Sequence, residues 1–106
     1  MKSFEINNIL DSAKKAGERY HEFLRVPALS VGLHQLKAGT DDPQGPHQQD
    51  EVYYLLSGKA KFQLDDELQD VAAGCILYPE AQQSHKFVEI VEDLQVLVFF
   101  APAEES

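Results

Sequence analysis

The sequence predicts an all-β domain with one short helix near its N-terminal end. Apolar segments, either alternating or continuous, recur about every ten residues, and Pro, Gly or Asp punctuates them. Six or seven short strands at this spacing are typical of β-sandwiches and β-barrels. With 106 residues, 43% of them hydrophobic and 25% charged, the chain is expected to form a single globular domain.

The first element is predicted to be an amphipathic helix over residues 6–16. Its apolar residues follow helical spacing, and Gly17 is placed to end it. Two stretches that alternate in hydrophobicity follow, and each ends at Pro or Gly. We expect residues 1–27 to supply the helix and an edge strand, and residues 28–102 to form the barrel. The apolar helix positions are Ile6, Ile9, Leu10, Ala13 and Ala16.

Residues 51–57 fit two local structures. As a helix they would begin after Pro46 and end at Gly58, with apolar side chains on one face. As a strand they contain three consecutive sheet-formers, Val52, Tyr53 and Tyr54. The segments that follow alternate, and the first of them turns at Asp65–Asp66. We therefore predict a strand, because a single central helix does not suit the surrounding strands.

Charge and composition exclude several classes of function. The formal net charge is −9 and the cations are scattered, so a nucleic-acid footprint is not expected. No apolar run approaches the roughly 20 residues of a membrane span, and the N-terminal residues lack a signal-peptide core. Cys75 is the single cysteine, which fits a reducing cytoplasm. Because it lies within an apolar run, we interpret it as a small core residue rather than a nucleophile.

His47 and Glu51 are the first candidates for chemistry, because they stand four positions apart beside the apolar stretch. Along a straight strand that spacing is roughly 13 Å, too far for both side chains to share one metal ion. Residues 48–50 must therefore bend or bulge if the pair is to bind one. A third ligand is needed, and His85 is the best candidate because it opens a later alternating strand after a polar loop.

Two spaced motifs in this chain resemble those of the cupin superfamily. Gly39, His47, Glu51 and Gly58 occupy places of the first cupin motif, in which G, five residues and H-x-H precede the glutamate. Gly74 and His85 match the ends of the second motif. The resemblance covers about residues 28–102. It implies a small single-domain cupin with a double-stranded β-helix, also called a jelly roll.

The chain departs from these motifs at three places. Gly45 stands where the first motif histidine belongs, Pro79 is displaced by one position, and Gln82 replaces a glycine. The ligands that the resemblance carries over are therefore His47, Glu51 and His85. Two imidazoles and one carboxylate suit non-haem Fe(II), and they would also hold Mn, Ni or Zn.

Other residues are candidates for the barrel interior. If Glu51 faces inward, alternation turns Tyr53 inward too, and Phe87 lies two residues past His85. Both are predicted to line the pocket, with filling of the barrel as the alternative. His34 could substitute for the missing ligand or simply be hydrogen-bonded. Gln44 and Gln49 could each offer an amide oxygen to the ion.

Three functions remain open. The first is a metal-dependent cupin, of dioxygenase or isomerase type, acting on a small polar molecule. The second is a non-catalytic module that binds or senses a small ligand and needs no metal, which the incomplete motif favours. The third is a structural role through dimerisation, because the segment 94–102 is apolar on both faces. The resemblance also implies a homodimer.

Overall fold

A computed structural model describes residues 1–42, 48–81 and 83–104 of the chain. One helix, α1, spans Ile6–Ala16. Within the described residues the strands are all antiparallel and form a six-stranded sheet in the order β1-β2-β6-β3-β4, with β5 paired to β3. Their bounds are β1 Tyr20–Val26, β2 Leu29–Leu36, β3 Asp50–Leu64, β4 Glu67–Ala72, β5 Ile76–Leu77 and β6 His85–Ala101.

The helix prediction is confirmed. Glu5 precedes the first turn and accepts a hydrogen bond from the Asn8 amide at 3.3 Å. Gly17 follows the last turn, where its amide donates to the Ala13 carbonyl at 3.0 Å. The apolar side of the helix buries Ile9 and Ala13 against Leu33 of β2. Helix α1 therefore covers one part of the outer face of the sheet.

Residues 51–57 are a strand, as predicted, but Gly58 does not end it. Strand β3 continues to Leu64, and β6 likewise joins two segments that the sequence presents as separate strands. A straight strand of the 17 residues of β6 would span about 56 Å, whereas the longest dimension of the molecule is 40 Å. The ribbon of β3 and β6 must therefore bend back on itself, as in a double-stranded β-helix.

The bend lies where the pairing of β3 with β6 changes register. Ser57 pairs with Gln95 and Lys59 pairs with Glu92, with shifts on both sides of these pairs. Gly58 has a φ of 102° there, and a Cβ at this position would collide with the carbonyl oxygen of Asp93. Only glycine permits the two strands to approach so closely at the bend.

The main core lies inside the bent ribbon. Inward residues of β3 and β6 alternate along each strand, so that Tyr53 and Leu55 face Val96 and Val98. The same core contains Phe62 and Phe87, which pair directly across the two strands farther along. In the described residues, no helix is long and apolar enough to cross a membrane.

Candidate functional site

Glu51 and His85 come together at the centre of the barrel. Glu51 lies near the start of β3, whereas His85 begins β6 and pairs with Leu64 at the far end of β3. The bend closes this separation, and Glu51 Oε1 lies 2.8 Å from His85 Nε2. Both side chains are buried, with residue exposures of 1% and 3%. The fold therefore converts two distant sequence positions into one polar contact inside the core.

The hydrogen bonds of His85 define its orientation. Its Nδ1 lies 2.8 Å from the carbonyl oxygen of Gln83, which can only accept, so Nδ1 carries a proton. Its Nε2 lies 3.0 Å from the hydroxyl of Tyr53, which can donate to it. In the neutral ring the Nε2 lone pair therefore points towards Glu51 and Tyr53, as in many metal-binding histidines.

The contact between Glu51 and His85 needs a positive charge between its two atoms. A carboxylate oxygen and the lone pair of an imidazole nitrogen repel each other, because both are electron-rich, unless a proton or a metal ion lies between them. The 2.8 Å distance between Glu51 and His85 is that of a hydrogen bond. The imidazole of His85, however, is oriented for a hydrogen bond with the Tyr53 hydroxyl. Among the described residues, neither oxygen of Glu51 has a donor aligned with it. Both oxygens are buried.

The pKa values of the site reflect this arrangement. Burial lowers the pKa of His85, but the adjacent Glu51 carboxylate and the hydrogen bond to the Gln83 carbonyl outweigh it, so the pKa is raised from 6.5. Burial and the charge of Glu51 raise the pKa of Tyr53 well above 10, so its hydroxyl stays protonated. The metal-free site thus holds its proton on His85 more tightly than a free imidazole does.

Aromatic rings surround this polar contact. The ring of Tyr53 lies 5.5 Å from that of Phe87 and 5.7 Å from that of Phe62, measured between centroids. The Phe62 ring also contacts the imidazole of His85, at 6.0 Å. Tyr53 and Phe87 are each 1% exposed, so both face the interior. Their apolar packing excludes water from the site and strengthens its electrostatic interactions.

A second group of buried polar residues lies nearby on other elements. Nε2 of His34, on β2, is 3.7 Å from Oδ1 of Asp42. The other oxygen of Asp42 accepts the Phe87 amide proton at 2.9 Å, which ties the segment after β2 to β6. Tyr20 on β1 stands opposite His34, with ring centroids 6.1 Å apart.

The structure locates most of the predicted site residues. It brings Glu51 and His85 together, and it buries His34 and Gln49. The predicted ligand His47 and the amide candidate Gln44 lie outside the described residues. Among the residues that are described, no group of three or more His, Cys, Asp or Glu could hold a metal ion. The structure therefore provides two of the three predicted ligands in contact.

Tyr20 and Asp42 were not among the residues predicted for the site. Asp42 resembles any other polar residue of a turn-rich loop, and its role depends on β6, far along the chain. Tyr20 offered a better signal, because the tight connection at Pro27 and Ala28 predicts that β1 pairs back along β2. Counting outward from that turn places Tyr20 opposite Gln35, one residue from its observed partner His34, because a register shift between Glu22 and Leu24 moves the pairing by one position.

A cavity of about 380 Å³ opens near the bend. Its walls include Ala60, Val71, Cys75 and Val91. Cys75 is half-buried and packs against the main core, which agrees with its interpretation as a small core residue. Glu51 and His85 do not line this cavity.

Comparisons with known proteins agree with this architecture. The sequence profile of the family described as "Cupin domain" matches residues 32–100. An uncharacterized protein from Streptomyces coelicolor is 46% identical over 105 residues, which cover 98% of this chain and 99% of that protein.

Solved structures with the same fold share less of the sequence. A crystal structure of an RmlC-like cupin protein from Desulfovibrio desulfuricans has a TM-score of 0.76 at 24% identity and covers 97% of this chain and 98% of its own. An RmlC-like cupin from Methanocaldococcus jannaschii, described with a double-stranded β-helix fold, has a TM-score of 0.71 at 16% identity, with 78% of each chain covered. The DMSP lyase DddQ from Ruegeria pomeroyi has a TM-score of 0.69 at 17% identity, with 82% of this chain and 49% of that chain covered.

Proposed function

The chain belongs to the cupin family, and from that premise we propose that it binds one divalent transition metal ion through His47, Glu51 and His85. The ion would be Fe, Mn, Ni or Zn, and the protein would act on or bind a small polar molecule. The observation that carries this proposal is the 2.8 Å contact between Glu51 Oε1 and His85 Nε2. We take residues 1–106 as one domain, and among its described residues this buried contact of a carboxylate with an imidazole nitrogen favours a cation.

The residues present fit such an ion. Both oxygens of Glu51 are buried without an aligned donor among the described residues, and buried carboxylates are normally paired or bound to metal. The proton on Nδ1 of His85 is directed to the Gln83 carbonyl, which leaves Nε2 as the ligand atom. When bound, the ion would supply Lewis acidity or oxygen activation.

The chain's own side chains would prepare the site in two ways. Gln83 fixes the imidazole plane and tautomer of His85 before any ion enters, so little freedom is lost on binding. Tyr53, whose pKa is raised by burial and by the charge of Glu51, keeps its hydroxyl proton and can donate it as a hydrogen bond to a ligand oxygen. Phe62 and Phe87 exclude water from both groups.

Metal addition to the purified chain tests the proposal. Metal-free protein should bind about one equivalent of ion, and at 100 times Kd the native state should gain about 2.7 kcal/mol, or about 10 °C in Tm. His85→Ala should remove this gain. His21→Ala is the matched control, because His21 contacts Glu18 on the surface side of β1 and should leave the shift unchanged. Fewer than about 0.2 equivalents bound would contradict the proposal.

A dioxygenase-type and an isomerase-type reaction are both consistent with this ligand set. That the DMSP lyase from Ruegeria pomeroyi shares the fold supports catalysis as one use of such a barrel. Turnover assays of the metal-loaded chain, with and without dioxygen, separate the two reactions. Oxygen consumption that depends on substrate and on Glu51 would support the dioxygenase.

A metal-free ligand-binding or sensor role is the second candidate. It is favoured by the contacts that His85 already makes with Glu51, Tyr53 and Gln83, because a proton on Nε2 can replace the ion. On this reading the polar contact is structural, and removing metal changes neither stability nor ligand affinity. The same thermal titration distinguishes it from the metal-dependent role.

We also propose that the protein is a cytoplasmic homodimer. Helix α1 leaves part of the outer sheet face uncovered, where Tyr54, Ile76 and Phe99 are 38%, 69% and 39% exposed. A second copy of the chain would cover this apolar strip. Tyr54→Lys should give a monomer in light scattering if the proposal is right, and an unchanged mass would refute it. The net charge of −9 disfavours nucleic acid as a partner.

A further inference from the structure

Tyr20 and His34 carry buried polar atoms that the proposed metal set does not use. The two residues stand opposite each other in the pairing of β1 with β2. Among the described residues, neither the Tyr20 hydroxyl nor either ring nitrogen of His34 has a hydrogen-bond partner, and all three atoms are buried. His34 is only 4% exposed. Native proteins satisfy such atoms with ordered water or a bound molecule, because leaving them unpaired is costly.

The absence of a side chain at Gly32 allows Tyr20 to occupy this position. A Cβ added to Gly32 would overlap the end of the Tyr20 ring and its hydroxyl, so the ring lies across β2 at residue 32. Because side chains alternate along a strand, Gly32 and His34 share one face of β2. Burial is the main cause that raises the pKa of Tyr20, and the charges of Glu104, Glu22 and Glu51 raise it further. The hydroxyl is therefore protonated and lies within electrostatic reach of Glu51.

The carboxylate of Asp42 lies on the Nε2 side of the His34 ring. Its Oδ1 lies 3.7 Å from Nε2 of His34, while its Oδ2 is fixed by the amide of Phe87 at 2.9 Å. A carboxylate on that side favours the proton on Nε2 and leaves Nδ1 as a hydrogen-bond acceptor. Tyr20 then offers a donor and His34 offers an acceptor. A hydroxyl group, like a water molecule, is neutral and can accept from one and donate to the other.

In the metal-free chain, charge disfavours an anionic ligand at this place. The carboxylates of Glu22, Glu51 and Glu104 all act on Tyr20, and Asp42 lies beside His34. Arg25 is the cation that acts on Tyr20, but its guanidinium is exposed and bonded to Glu22 at 2.9 Å. A ligand carboxylate beside Tyr20 would therefore be repelled, whereas a neutral hydroxyl would not.

We infer that Tyr20 and His34 form a subsite that binds a hydroxyl group of a neutral, polyol-type small molecule. This subsite shares the barrel interior with Glu51 and His85. The inference rests on the proposed function to the extent that this molecule is the one on which the metal site acts.

Binding of matched polyols and carboxylates tests the inference. The probes are glycerol, xylitol and sorbitol, each compared with the carboxylate of the same carbon number: glycerate, xylonate and gluconate. The ring signals of His34 are followed by NMR in wild-type chain, metal-loaded and metal-free, and in Tyr20→Phe. Tyr78→Phe is the matched control, because the exposed Tyr78 hydroxyl contacts Asp50 at 3.3 Å on the outer surface.

We expect at least one polyol to shift the His34 signals in a saturable way. The corresponding carboxylate should bind the metal-free chain at least about tenfold more weakly, because like charges repel. Tyr20→Phe should weaken polyol binding about tenfold through the loss of one hydrogen bond, and Tyr78→Phe should not change it. Tyr20→Phe should also be as stable as wild type, since its hydroxyl lacks a protein partner among the described residues.

Three results would overturn the inference: no polyol shifts His34, a carboxylate binds the metal-free chain as tightly as its polyol, or Tyr20→Phe retains full affinity. A loss of stability in Tyr20→Phe would likewise show a structural role for the hydroxyl. Metal content measured on the same samples keeps the two proposals apart. In samples to which metal has been added, polyol binding without any bound metal would refute only the metal site, and bound metal without polyol binding would refute only the subsite.

Discussion

Replacing Gly58 with alanine tests whether the bend in the ribbon builds the site. Gly58 has a φ of 102°, and a Cβ there would collide with the carbonyl oxygen of Asp93 and lie 2.8 Å from Cδ2 of Leu94. The oxygen belongs to the backbone of β6, so it cannot move without shifting the paired strand. Because this bend brings Glu51 to His85, Gly58→Ala should damage both stability and metal binding.

The magnitude follows from two costs. An alanine in the left-handed region costs about 1–2 kcal/mol, and a forced backbone shift in a packed core costs about 1–3 kcal/mol. The lower entropy of the unfolded alanine chain returns about 0.4–1 kcal/mol. We therefore expect Gly58→Ala to lower the free energy of unfolding by about 1–4.6 kcal/mol, or Tm by about 4–18 °C for a domain of this size.

Gly74→Ala is the matched control. Gly74 also has a positive φ, of 94°, but a Cβ there would meet no atom within 4 Å. It therefore carries the conformational cost alone, and we expect a loss of about 1 kcal/mol.

Urea unfolding of both variants, followed by circular dichroism, measures the difference, and metal titration at a temperature where both are folded measures the site. The metal affinity of Gly58→Ala should fall at least about tenfold, while Gly74→Ala should keep the wild-type affinity. If Gly58→Ala proves no less stable than Gly74→Ala, the contact with Asp93 does not constrain the bend. Unchanged metal affinity in Gly58→Ala would refute the link between bend and site.

Three further predictions concern single interactions. Tyr53→Phe removes the hydroxyl that lies 3.0 Å from Nε2 of His85 and should cost about 1 kcal/mol in urea unfolding without changing metal stoichiometry. Glu51 holds the pKa of His85 above its usual value, so the protonated imidazole stabilises the folded, metal-free protein. This stabilisation should be present in full below about pH 6.5 and should be lost as the pH rises through the raised pKa. The free energy of unfolding of Glu51→Gln should not show this pH dependence. Asp42→Ala leaves the Phe87 amide without its acceptor at 2.9 Å and should cost about 1–3 kcal/mol, with faster hydrogen exchange at that amide, whereas Asp42→Asn should cost less.

Local patterns in the sequence were sufficient for the elements that depend on neighbouring residues. The helix at residues 6–16, the strand at 51–57 and the turn at Asp65–Asp66 all follow from spacing and turn chemistry. The end of β6 at Ala101 follows from Pro102, which cannot donate to a sheet. Each of these features can be predicted from a few neighbouring residues.

The continuity of β3 and β6 could not be predicted in the same way. Glycine normally marks the end of a strand pattern, and a register shift interrupts the alternation that identifies a strand. Gly58 instead lies within β3, where it allows close approach of β6. Whether such a glycine ends or bends a strand depends on a partner that is distant in the sequence.

Motif spacing predicted individual residues of the site but not the contacts between them. Glu51 and His85 were identified from their places in two motifs, but their contact depends on the folded ribbon. The roles of Tyr20 and Asp42 depend on contacts with β2 and β6 that no local pattern encodes. The predicted ligand His47 lies outside the described residues and stays a prediction.

The most direct measurement is the metal K-edge X-ray absorption spectrum of the chain loaded with one equivalent of zinc. We expect nitrogen and oxygen ligands at about 2.0–2.2 Å from the zinc, with the outer-shell scattering of two imidazoles, and loss of one imidazole in His85→Ala. A spectrum of hydrated zinc without imidazole scattering, or one identical in His85→Ala, would contradict this expectation.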